Sequence, residues 1–481
     1  MSASTGNDLH DLLISTSPAD AADEIGRFVR ADSTAVDDAV ARARVAFPAW
    51  RDLGLAGRTA VLERYAAEVE SRREELARLI AREVGKALWE ARAEAGLVPG
   101  KVALALGDGL RFTETLEAGP EARCTFHPRG VLAVLGPFNF PAHLPNGHIV
   151  PALAAGNTVV FKPSDAAPAV GAWLANAWRT AGLPPGVLEL VQGDAGAGGT
   201  LAEHPDVDGV LFTGSYAVGR KLREATLDQP FKILALEMGG KNAMIVLDDA
   251  DLDLAAAEAA LSIGATTGQR CTSLSRIFAA REILEPFAEK LGALLRGLRI
   301  GAPLDEGTFM GPLISHAAQG RVDRYRARAV EAGGEWLVNR AAELPSPYAG
   351  PGLALFQSAE QDHAFVRDEI FGPLASLHPV ADLAEAITAV NDSDFGLAAA
   401  LMTQDRTSYE HAVGRIRTGI LNWNRGTVGA SGRLPFGGIG RSGNDRPAGI
   451  TSSIYCTVAQ SHLEYSGGLD AAALPPGMPT P

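Results

Sequence analysis

The sequence has few cysteines, no long apolar run and a deficit of positive charge. Its three cysteines, Cys124, Cys271 and Cys456, lie far apart without CxxC spacing. They predict neither a disulfide framework nor a metal site, and they fit a reducing, cytoplasmic location. No apolar stretch approaches the ~18 residues of a membrane span, so we expect no membrane partner. The N-terminus has no basic stretch followed by an apolar block, so we also expect no secretory signal.

The charge balance narrows the classes of partner. Lys and Arg number 43 against 57 Asp and Glu, which gives a net charge of −14. This balance argues against a nucleic-acid partner, because phosphates require clustered cations. It does not exclude an acidic substrate, because a local cationic pocket can oppose the overall sign.

Length and composition indicate a multidomain globular protein. The chain has 481 residues, of which 46% are hydrophobic and 21% charged. These values exclude disorder as the main state and allow roughly three domains of ~150 residues. The first 30 residues show little periodicity. A helix is then predicted from residue 33, with Ser33 or Thr34 as its cap, and a longer helical stretch over 57–88.

The central part of the chain alternates between short apolar runs and helix-like stretches. The predicted strands cover 131–135, 158–161, 187–191, 209–212 and 232–236. Five strands joined by helices predict a parallel sheet with helices on both faces, and ligands of such sheets bind beyond the carboxyl ends of the strands. A second alternating segment runs from about 242 to 440, and its Pro- and Gly-rich centre, 343–355, is predicted to be a loop.

Three residues suit covalent and acid–base chemistry. Cys271 lies in the polar stretch GQRCTS beside Arg270, which could favour its thiolate; the alternative is a small core residue. Glu237 follows the apolar run KILAL, where burial would raise its pKa and suit it to act as a base; otherwise it caps a turn. Asn139 in GPFNFP is a candidate donor to an oxyanion, although asparagine is common in turns.

Two further segments could bind a nucleotide. The stretch from Gly214 to Gly219 follows a predicted strand and precedes a helix, which is a phosphate-binding arrangement, but it lacks the GxGxxG spacing. Lys162 and Asp165 in KPSD end another strand and could hold ribose hydroxyls, or form a plain turn.

The motifs taken together resemble the aldehyde dehydrogenase superfamily. The resemblance extends from about residue 33 to 465 and includes, in order, GPFNFP, FKPSD, FTGS, LEMGGKN, GQRCTS, EIFGP and PFGGIGRSG. It implies that Cys271 attacks an aldehyde to give a thiohemiacetal and then a thioester. Asn139 and the Cys271 backbone N–H would form the oxyanion hole, and Glu237 would activate water for hydrolysis to a free acid.

The resemblance also implies an NAD site. Lys162 and Asp165 would lie at the adenosine ribose, Ser215 at the pyrophosphate and Glu369 at the nicotinamide ribose. The acid at Asp165 would repel a 2′-phosphate, so NAD is expected over NADP. The expected cofactor-binding residues are Phe138, Lys162, Ser164, Asp165, Gly214, Ser215, Gly219, Glu369 and Phe371.

The domain organisation expected from the resemblance is α/β. The expected parts are a Rossmann-like NAD-binding domain over 1–110 and 129–239, an α/β catalytic domain over 240–441, a small β oligomerisation arm over 111–128 and 454–468, and a flexible tail over 469–481. Related enzymes pair subunits through such arms by sheet extension, so a homodimer or homotetramer is expected.

Two stretches point to a substrate. NFPAHLPNGHIVPALAAGNTVVFKPS and PFGGIGRSGNDRPAG resemble the N-succinylglutamate 5-semialdehyde dehydrogenases of arginine catabolism. Such an anionic small-molecule substrate would require cations, for which Arg270, Arg425 and Arg433 are candidates. The histidines His143 and His148 are expected to pack beside the site rather than to act as bases.

Several alternatives remain open. The substrate could be another ω-semialdehyde acid, such as succinate semialdehyde, or the enzyme could accept a broad range of aldehydes. From a different class, the chain could be a thiol hydrolase that pairs Cys271 with a histidine, or a catalytically silent relative. A dependence of turnover on a nicotinamide cofactor would separate the first two classes.

Overall fold

The N-terminal part of the chain combines a hairpin with a group of helices. The computed structural model describes residues 12–340, 345, 347–359 and 362–480. The elements of this part are β1 (Leu12–Ser17), β2 (Asp20–Val29), α1 (Ser33–Asp52), α2 (Gly54–Ser71), α3 (Arg73–Val84), α4 (Leu88–Leu106), a 3₁₀ turn (Asp108–Thr113), β3 (Leu116–Gly119) and β4 (Ala122–Pro128). Helix α4 packs against α2, α3 and α5, the last of these being His143–Ala155.

The sequence did not predict the antiparallel hairpin of β1 and β2. Side chains of β1 alternate between buried and exposed positions, but those of β2 are exposed or partly exposed along its whole length. A strand with no fully buried face carries little apolar alternation, which explains the weak signal.

The first helices differ from their predictions in two details. The cap of α1 is Asp32, whose carboxylate accepts the Ala35 N–H at 2.8 Å, rather than Ser33 or Thr34. The predicted stretch 57–88 is two helices, because the backbone leaves helical geometry at Arg72 (φ −117°, ψ 22°). The second of them ends before Gly85, which has a left-handed φ of 73°.

A five-stranded parallel sheet forms the next unit. Its elements are β5 (Val131–Leu135), α5 (His143–Ala155), β6 (Thr158–Lys162), α6 (Pro168–Thr180), β7 (Leu188–Leu190), α7 (Ala195–Glu203), β8 (Gly209–Thr213), α8 (Tyr216–Ala225) and β9 (Ile233–Glu237). The strand order is β7-β6-β5-β8-β9. The order reverses at β5, so the crevice beyond the ends of β5, β6 and β8 is the expected ligand position. Strands β5, β6 and β8 are buried along their full length, as expected for a sheet covered on both faces.

A seven-stranded sheet follows. This part of the chain contains β10 (Asn242–Val246), α9 (Leu252–Gly264), a 3₁₀ turn (Ala265–Gly268), β11 (Leu274–Ala280), a 3₁₀ turn (Arg281–Ile283), α10 (Leu284–Gly297), α11 (His316–Glu331), β12 (Glu335–Asn339), β13 (Gly352–Leu355), α12 (Ala364–Arg367), β14 (Leu374–Val380), α13 (Leu383–Asn391), β15 (Phe395–Gly396), β16 (Ala398–Met402), α14 (Arg406–Ala412) and β17 (Ile420–Trp423). Of these strands, β15 lies outside the seven-stranded sheet. The order is β12-β13-β14-β11-β10-β16-β17, with antiparallel pairing between β12 and β13 and parallel pairing elsewhere. The prediction of an α/β fold with parallel sheets is confirmed.

The predicted loop over 343–355 is partly wrong. Residues 341–344 and 346 lie outside the described residues, but Gly352–Leu355 forms a buried strand beside β14. The glycine that suggested a loop, Gly352, begins this strand. An added Cβ there would stand 2.7 Å from both Leu374 and Trp336, so close packing across the sheet excludes a larger residue.

The C-terminal part returns to the first half of the molecule. Its elements are β18 (Pro435–Phe436), β19 (Ile439–Gly440), β20 (Ala448–Gly449), α15 (Ser452–Tyr455), β21 (Thr457–Leu463) and a 3₁₀ turn (Ala471–Ala473). Strand β21 pairs antiparallel with β4, which also pairs with β3, so the two segments predicted as an arm form one three-stranded sheet. The strand begins at Thr457, and the alternating pattern read from residue 454 includes the short helix α15.

Asn157 connects this three-stranded sheet to the five-stranded one. Its Oδ1 accepts the N–H groups of Arg129 (2.7 Å) and Gly130 (3.1 Å), and its Nδ2 donates to the carbonyls of Ala152 (3.0 Å) and Cys456 (2.9 Å). The side chain is fully buried. One side chain therefore satisfies four backbone groups at the junction.

We expect Asn157→Ala to lower the free energy of unfolding by about 3 kcal/mol, because buried backbone groups lose their partners. Thermal unfolding followed by circular dichroism measures the effect. Asn176→Ala, which removes an exposed hydrogen bond to Arg179, is the control. Equal melting temperatures for the two variants would contradict this role of Asn157.

Candidate active site

The three residues singled out for chemistry line two cavities that share Cys271. Glu237 ends β9, Asn139 lies in the loop after β5, and Cys271 follows the 3₁₀ turn Ala265–Gly268. The Asn139 amide donates to the carbonyl of Gln269 at 2.9 Å, two residues before Cys271. Cys271 and Glu237 line one cavity of about 150 Å³. Cys271 and Asn139 line a second cavity of about 710 Å³, so the cysteine stands at the junction of the two.

The backbone that presents Cys271 is held in an unusual conformation. Thr266 and Thr267 have φ values of 51° and 53°, and Gly268 has a φ of 70°. Positive φ is costly for β-branched residues and persists only where the surroundings enforce it. An added Cβ at Gly268 would stand 2.2 Å from the Gly372 backbone, so glycine is required there.

A buried carboxylate enforces this turn. Glu90 on α4 accepts the Thr266 N–H at 2.8 Å and the Thr266 hydroxyl at 2.7 Å, and it also pairs with Arg270. At Cys271 itself, the backbone carbonyl accepts a hydrogen bond from the Asn242 amide at 2.8 Å. The Cys271 segment is thus fixed from both sides by side chains of other elements.

The Cys271 thiol is protonated in this environment. Burial raises its pKa to about 12, and the negative charges of Glu369 and Glu237 add to the increase. Arg270 acts in the opposite direction, as the sequence suggested, but more weakly. Arg270 thus favours the thiolate, as the sequence suggested, but burial and the two carboxylates outweigh it.

Glu237 has the environment expected of a base. Only 4% of the residue is exposed, and burial raises the pKa of its carboxyl well above the usual value. The Ala448 N–H donates to the carboxyl and partly offsets this increase. Within the described residues, its Oε2 has no hydrogen-bond partner. A buried, unpartnered carboxyl oxygen beside a thiol is suited to exchange a proton with a water molecule or substrate.

The larger cavity fits a dinucleotide. It opens beyond β5, β6 and β8, where parallel sheets bind nucleotides. Ser215 caps α8, so that helix presents its N-terminus and a partial positive charge to the cavity. Of the expected cofactor-binding residues, the cavity is lined by Phe138, Lys162, Ser164, Asp165, Gly214, Ser215, Glu369 and Phe371. Gly219 is buried, and its added Cβ would stand 2.4 Å from the Met238 sulfur, so it allows helix packing beneath the cavity.

Sequence reasoning missed Arg321 on α11. Arg321 lines the larger cavity, and its Nε has no partner among the described residues. Its positive charge lowers the pKa of Glu369, but burial dominates and raises that pKa to about 7. The Gly240 N–H also donates to Glu369, at 3.1 Å. An arginine on a helix outside every recognised motif gave no sequence signal.

The three arginines predicted to bind the substrate differ in whether they line the smaller cavity. Arg270 lines the smaller cavity, where its guanidinium lies 5.0 Å from the Phe140 ring centre. Arg425 and Arg433 are exposed and are not among the described residues that line this cavity. Ser431 and Gly432, next to Arg433, do line it. Of the three cations, the structure brings only Arg270 to the cavity of the cysteine.

Both histidines of the first resembling stretch line the smaller cavity. Burial lowers the pKa values of His143 and His148 to about 3, so both are neutral. His148 shares hydrogen bonds with the Tyr455 hydroxyl (2.8 Å) and with the Thr213 hydroxyl (3.3 Å).

In the described part of the chain, no three His, Cys, Asp or Glu side chains are grouped to hold a metal ion. None of the described helices is long and apolar enough to cross a bilayer.

Comparison with known proteins identifies the class. The profile of the aldehyde dehydrogenase family matches residues 7–461. The chain is 44% identical to N-succinylglutamate 5-semialdehyde dehydrogenase 1 of Caulobacter vibrioides over 447 residues, which cover 92% of this chain and 94% of that protein. It is 42% identical to N-succinylglutamate 5-semialdehyde dehydrogenase of Burkholderia mallei over 457 residues, 92% of each chain.

Solved structures agree with the sequence comparison. The NAD-dependent aldehyde dehydrogenase of Sinorhizobium meliloti superposes with a TM-score of 0.91 at 31% identity, covering 98% of this chain and 94% of that one. The chain therefore belongs to the aldehyde dehydrogenase family. It is an oxidoreductase that acts on aldehydes, as the sequence motifs predict.

The thiol environment gives a test that requires no substrate. We expect the rate of Cys271 alkylation by iodoacetamide to rise about tenfold per pH unit between pH 7 and 10 without a plateau, because only the thiolate reacts. At pH 8 or above, Glu369→Gln is expected to accelerate the reaction, because it removes a negative charge that raises the pKa of Cys271. Mass spectrometry of the Cys271 peptide, with the partly exposed Cys124 as an internal reference, measures both effects. A plateau below pH 9 would contradict the raised pKa.

Proposed function

We propose that this enzyme oxidises N-succinyl-L-glutamate 5-semialdehyde to N-succinyl-L-glutamate with NAD, a step of arginine catabolism. The observation that carries the proposal is the position of Cys271 between a small cavity containing Glu237 and a larger cavity of dinucleotide size. The identity of 44% to an enzyme of that name supports the substrate. The exposed carboxyl of Asp165 in the larger cavity favours NAD, because it would repel a 2′-phosphate.

In the proposed mechanism, Cys271 forms the covalent bond to substrate. Its thiol gives its proton to water as the sulfur adds to the aldehyde carbon, and the carbonyl oxygen takes up the negative charge. One N–H of the Asn139 amide is held by Gln269, so the second N–H and the Cys271 backbone N–H are available to that oxygen. Lys162, Asp165, Ser215 and Glu369 would hold NAD, which would supply a hydride acceptor. Loss of a hydride from the adduct carbon would re-form the carbonyl group and leave a thioester on Cys271.

Glu237 completes the proposed reaction. Its carboxylate takes a proton from water while the water oxygen attacks the thioester carbon. The carbon–sulfur bond then breaks, and the departing sulfur takes the proton that Glu237 received from water, which releases the acid and restores the thiol. The unpartnered Oε2 supports this role, because no protein donor competes for it among the described residues. Hydrolysis consumes the thioester without a second thiol substrate.

We also propose the assembly and location. The three-stranded sheet β21-β4-β3 has two outer edges, and an unpaired edge is a template for pairing with another chain. A homodimer or homotetramer formed through 111–128 and 454–468 is proposed on this basis. We also propose the domain boundaries given in the sequence analysis. A cytoplasmic location is proposed because the three cysteines are unpaired.

Glu237→Gln tests the base. We expect kcat to fall by about 10²–10⁴-fold. In the parent enzyme, kcat should rise with pH as the carboxyl of Glu237, with its raised pKa, loses its proton. In the variant that rise should vanish, while a first-turnover burst of NADH is retained. Stopped-flow absorbance measures both quantities, with the exposed Glu335→Gln as control. Loss of the burst together with turnover would contradict a role confined to hydrolysis.

A substrate panel tests the whole proposal. We expect kcat/KM for N-succinyl-L-glutamate 5-semialdehyde to exceed those for succinate semialdehyde and butanal by about tenfold or more, with NAD preferred over NADP. Steady-state absorbance of the reduced nicotinamide measures each pair. A preference for butanal would refute the acidic substrate, and equal efficiency with both cofactors would refute the NAD preference.

A further inference from the structure

One face of α4 is directed at the candidate active site. Glu90, Glu94, Leu97 and Lys101 follow the spacing i, i+4, i+7, i+11, which places four side chains on one face of a helix. Glu90 binds the Cys271 turn, and Glu94 accepts the N–H groups that begin α5. Leu97 and Lys101 line the cavity that also contains Cys271 and Glu237. Glu90 and Glu94 therefore hold the backbone around the site, whereas Leu97 and Lys101 line its cavity.

The ammonium group of Lys101 lies against two residues that have no side chain. An added Cβ at Gly147 on α5 would stand 3.8 Å from Lys101 Nζ, and one at Gly432 would stand 3.7 Å from it. Both glycines line the same cavity. Their lack of side chains leaves the ammonium accessible from the cavity.

The charge of Lys101 is not balanced by the protein. Among the residues described, no hydrogen bond or ion pair to its Nζ is formed, whereas Lys86 pairs with Glu94 and Arg270 pairs with Glu90. Burial alone lowers the pKa of Lys101 to about 8, without an offsetting carboxylate. A partly buried cation without a partner is costly, and an anion entering the cavity would reduce that cost.

We propose that Lys101 is a specificity-determining residue that binds a carboxylate of the aldehyde substrate. The inference rests on the proposed function, because it assigns an anchor to the acid group of that substrate. Lys101 is 11 residues beyond Glu90, which is about 16 Å along the helix axis. A substrate that reaches from the Cys271 turn toward Lys101 is therefore elongated. Arg270 is the weaker anchor, because its charge is already neutralised.

Lys101→Met, Lys101→Arg and the exposed control Lys290→Met test the assignment. With saturating NAD, we expect Lys101→Met to raise the KM for N-succinyl-L-glutamate 5-semialdehyde about 100-fold, as for loss of a buried charged partner. Its kcat should stay within about twofold, and the KM for butanal should stay unchanged. Lys101→Arg should recover most of the affinity. Lys290, exposed on α10 and paired with Asp253, should have no effect when replaced.

A binding measurement separates recognition from turnover. N-Succinyl-L-glutamate should protect Cys271 of the parent enzyme from iodoacetamide, and this protection should require about 100-fold more ligand in Lys101→Met. Unchanged butanal kinetics in that variant show that it is folded. An unchanged KM for the acidic aldehyde, or equal increases for acidic and neutral aldehydes, would overturn the assignment.

The same panel distinguishes the two proposals. If the parent enzyme prefers succinate semialdehyde and Lys101→Met loses that preference, the anchor is supported and the named substrate fails. If the parent prefers the N-succinyl substrate and Lys101→Met is unaffected, the substrate stands and the anchor fails. A parent enzyme that favours butanal over both acids overturns both.

Discussion

The candidate active site depends on two buried carboxylates of one helix. Glu90 on α4 holds Thr266 in its left-handed conformation and pairs with Arg270, while Glu94 accepts the Ala142 and His143 N–H groups at 2.9 and 3.0 Å. One carboxylate thereby fixes the turn before Cys271, and the other fixes the segment after Asn139. Because both belong to a single rigid helix, the distance between the two segments is set by helix geometry rather than by the loops themselves.

The charges of this arrangement are balanced internally. Lys86 is paired with Glu94 and lies 3.6 Å from the Phe140 ring centre, and Arg270 approaches the same ring at 5.0 Å. Two cations and two anions therefore surround one aromatic ring. Removal of any one would leave an uncompensated buried charge, which costs far more than the pair contributes. Because Lys86 and Arg270 are paired in this way, Lys101 is the cation of the smaller cavity that the described residues leave without a partner.

The sequence predicted the parts of the molecule whose signals are local. Buried parallel strands such as β5 and β6 appear as short apolar runs, and the residues at their ends, Asn139 and Lys162, could be placed at a common edge. Glu237 and Cys271 were recognised by the chemistry of their neighbours. The hairpin of β1 and β2 was not predicted because its second strand has no buried face. The strand that begins at Gly352 was predicted as a loop, because a glycine required by close packing looks in the sequence like a glycine required by a turn.

The site residues that the sequence did not indicate lie far from the recognised motifs along the chain. The motifs indicated only arginines near Cys271 and before PFGG as cations for the substrate, whereas Lys101 lies 170 residues earlier than the cysteine. The regular spacing from Glu90 to Lys101 was visible in the sequence, but charged residues at helical spacing usually indicate a solvated face. The packing of α4 against α5 shows that this face borders the site, where Glu90 and Glu94 are buried and Lys101 is partly buried, although Leu97 is 50% exposed. The contacts of this face thus change the meaning of the pattern. Glu90 and Glu94 hold two loops, and Lys101 lines the cavity of Cys271 without a hydrogen-bond or ion-pair partner among the described residues. In a chain with a net charge of −14, that local cation is what would allow an anionic aldehyde to enter.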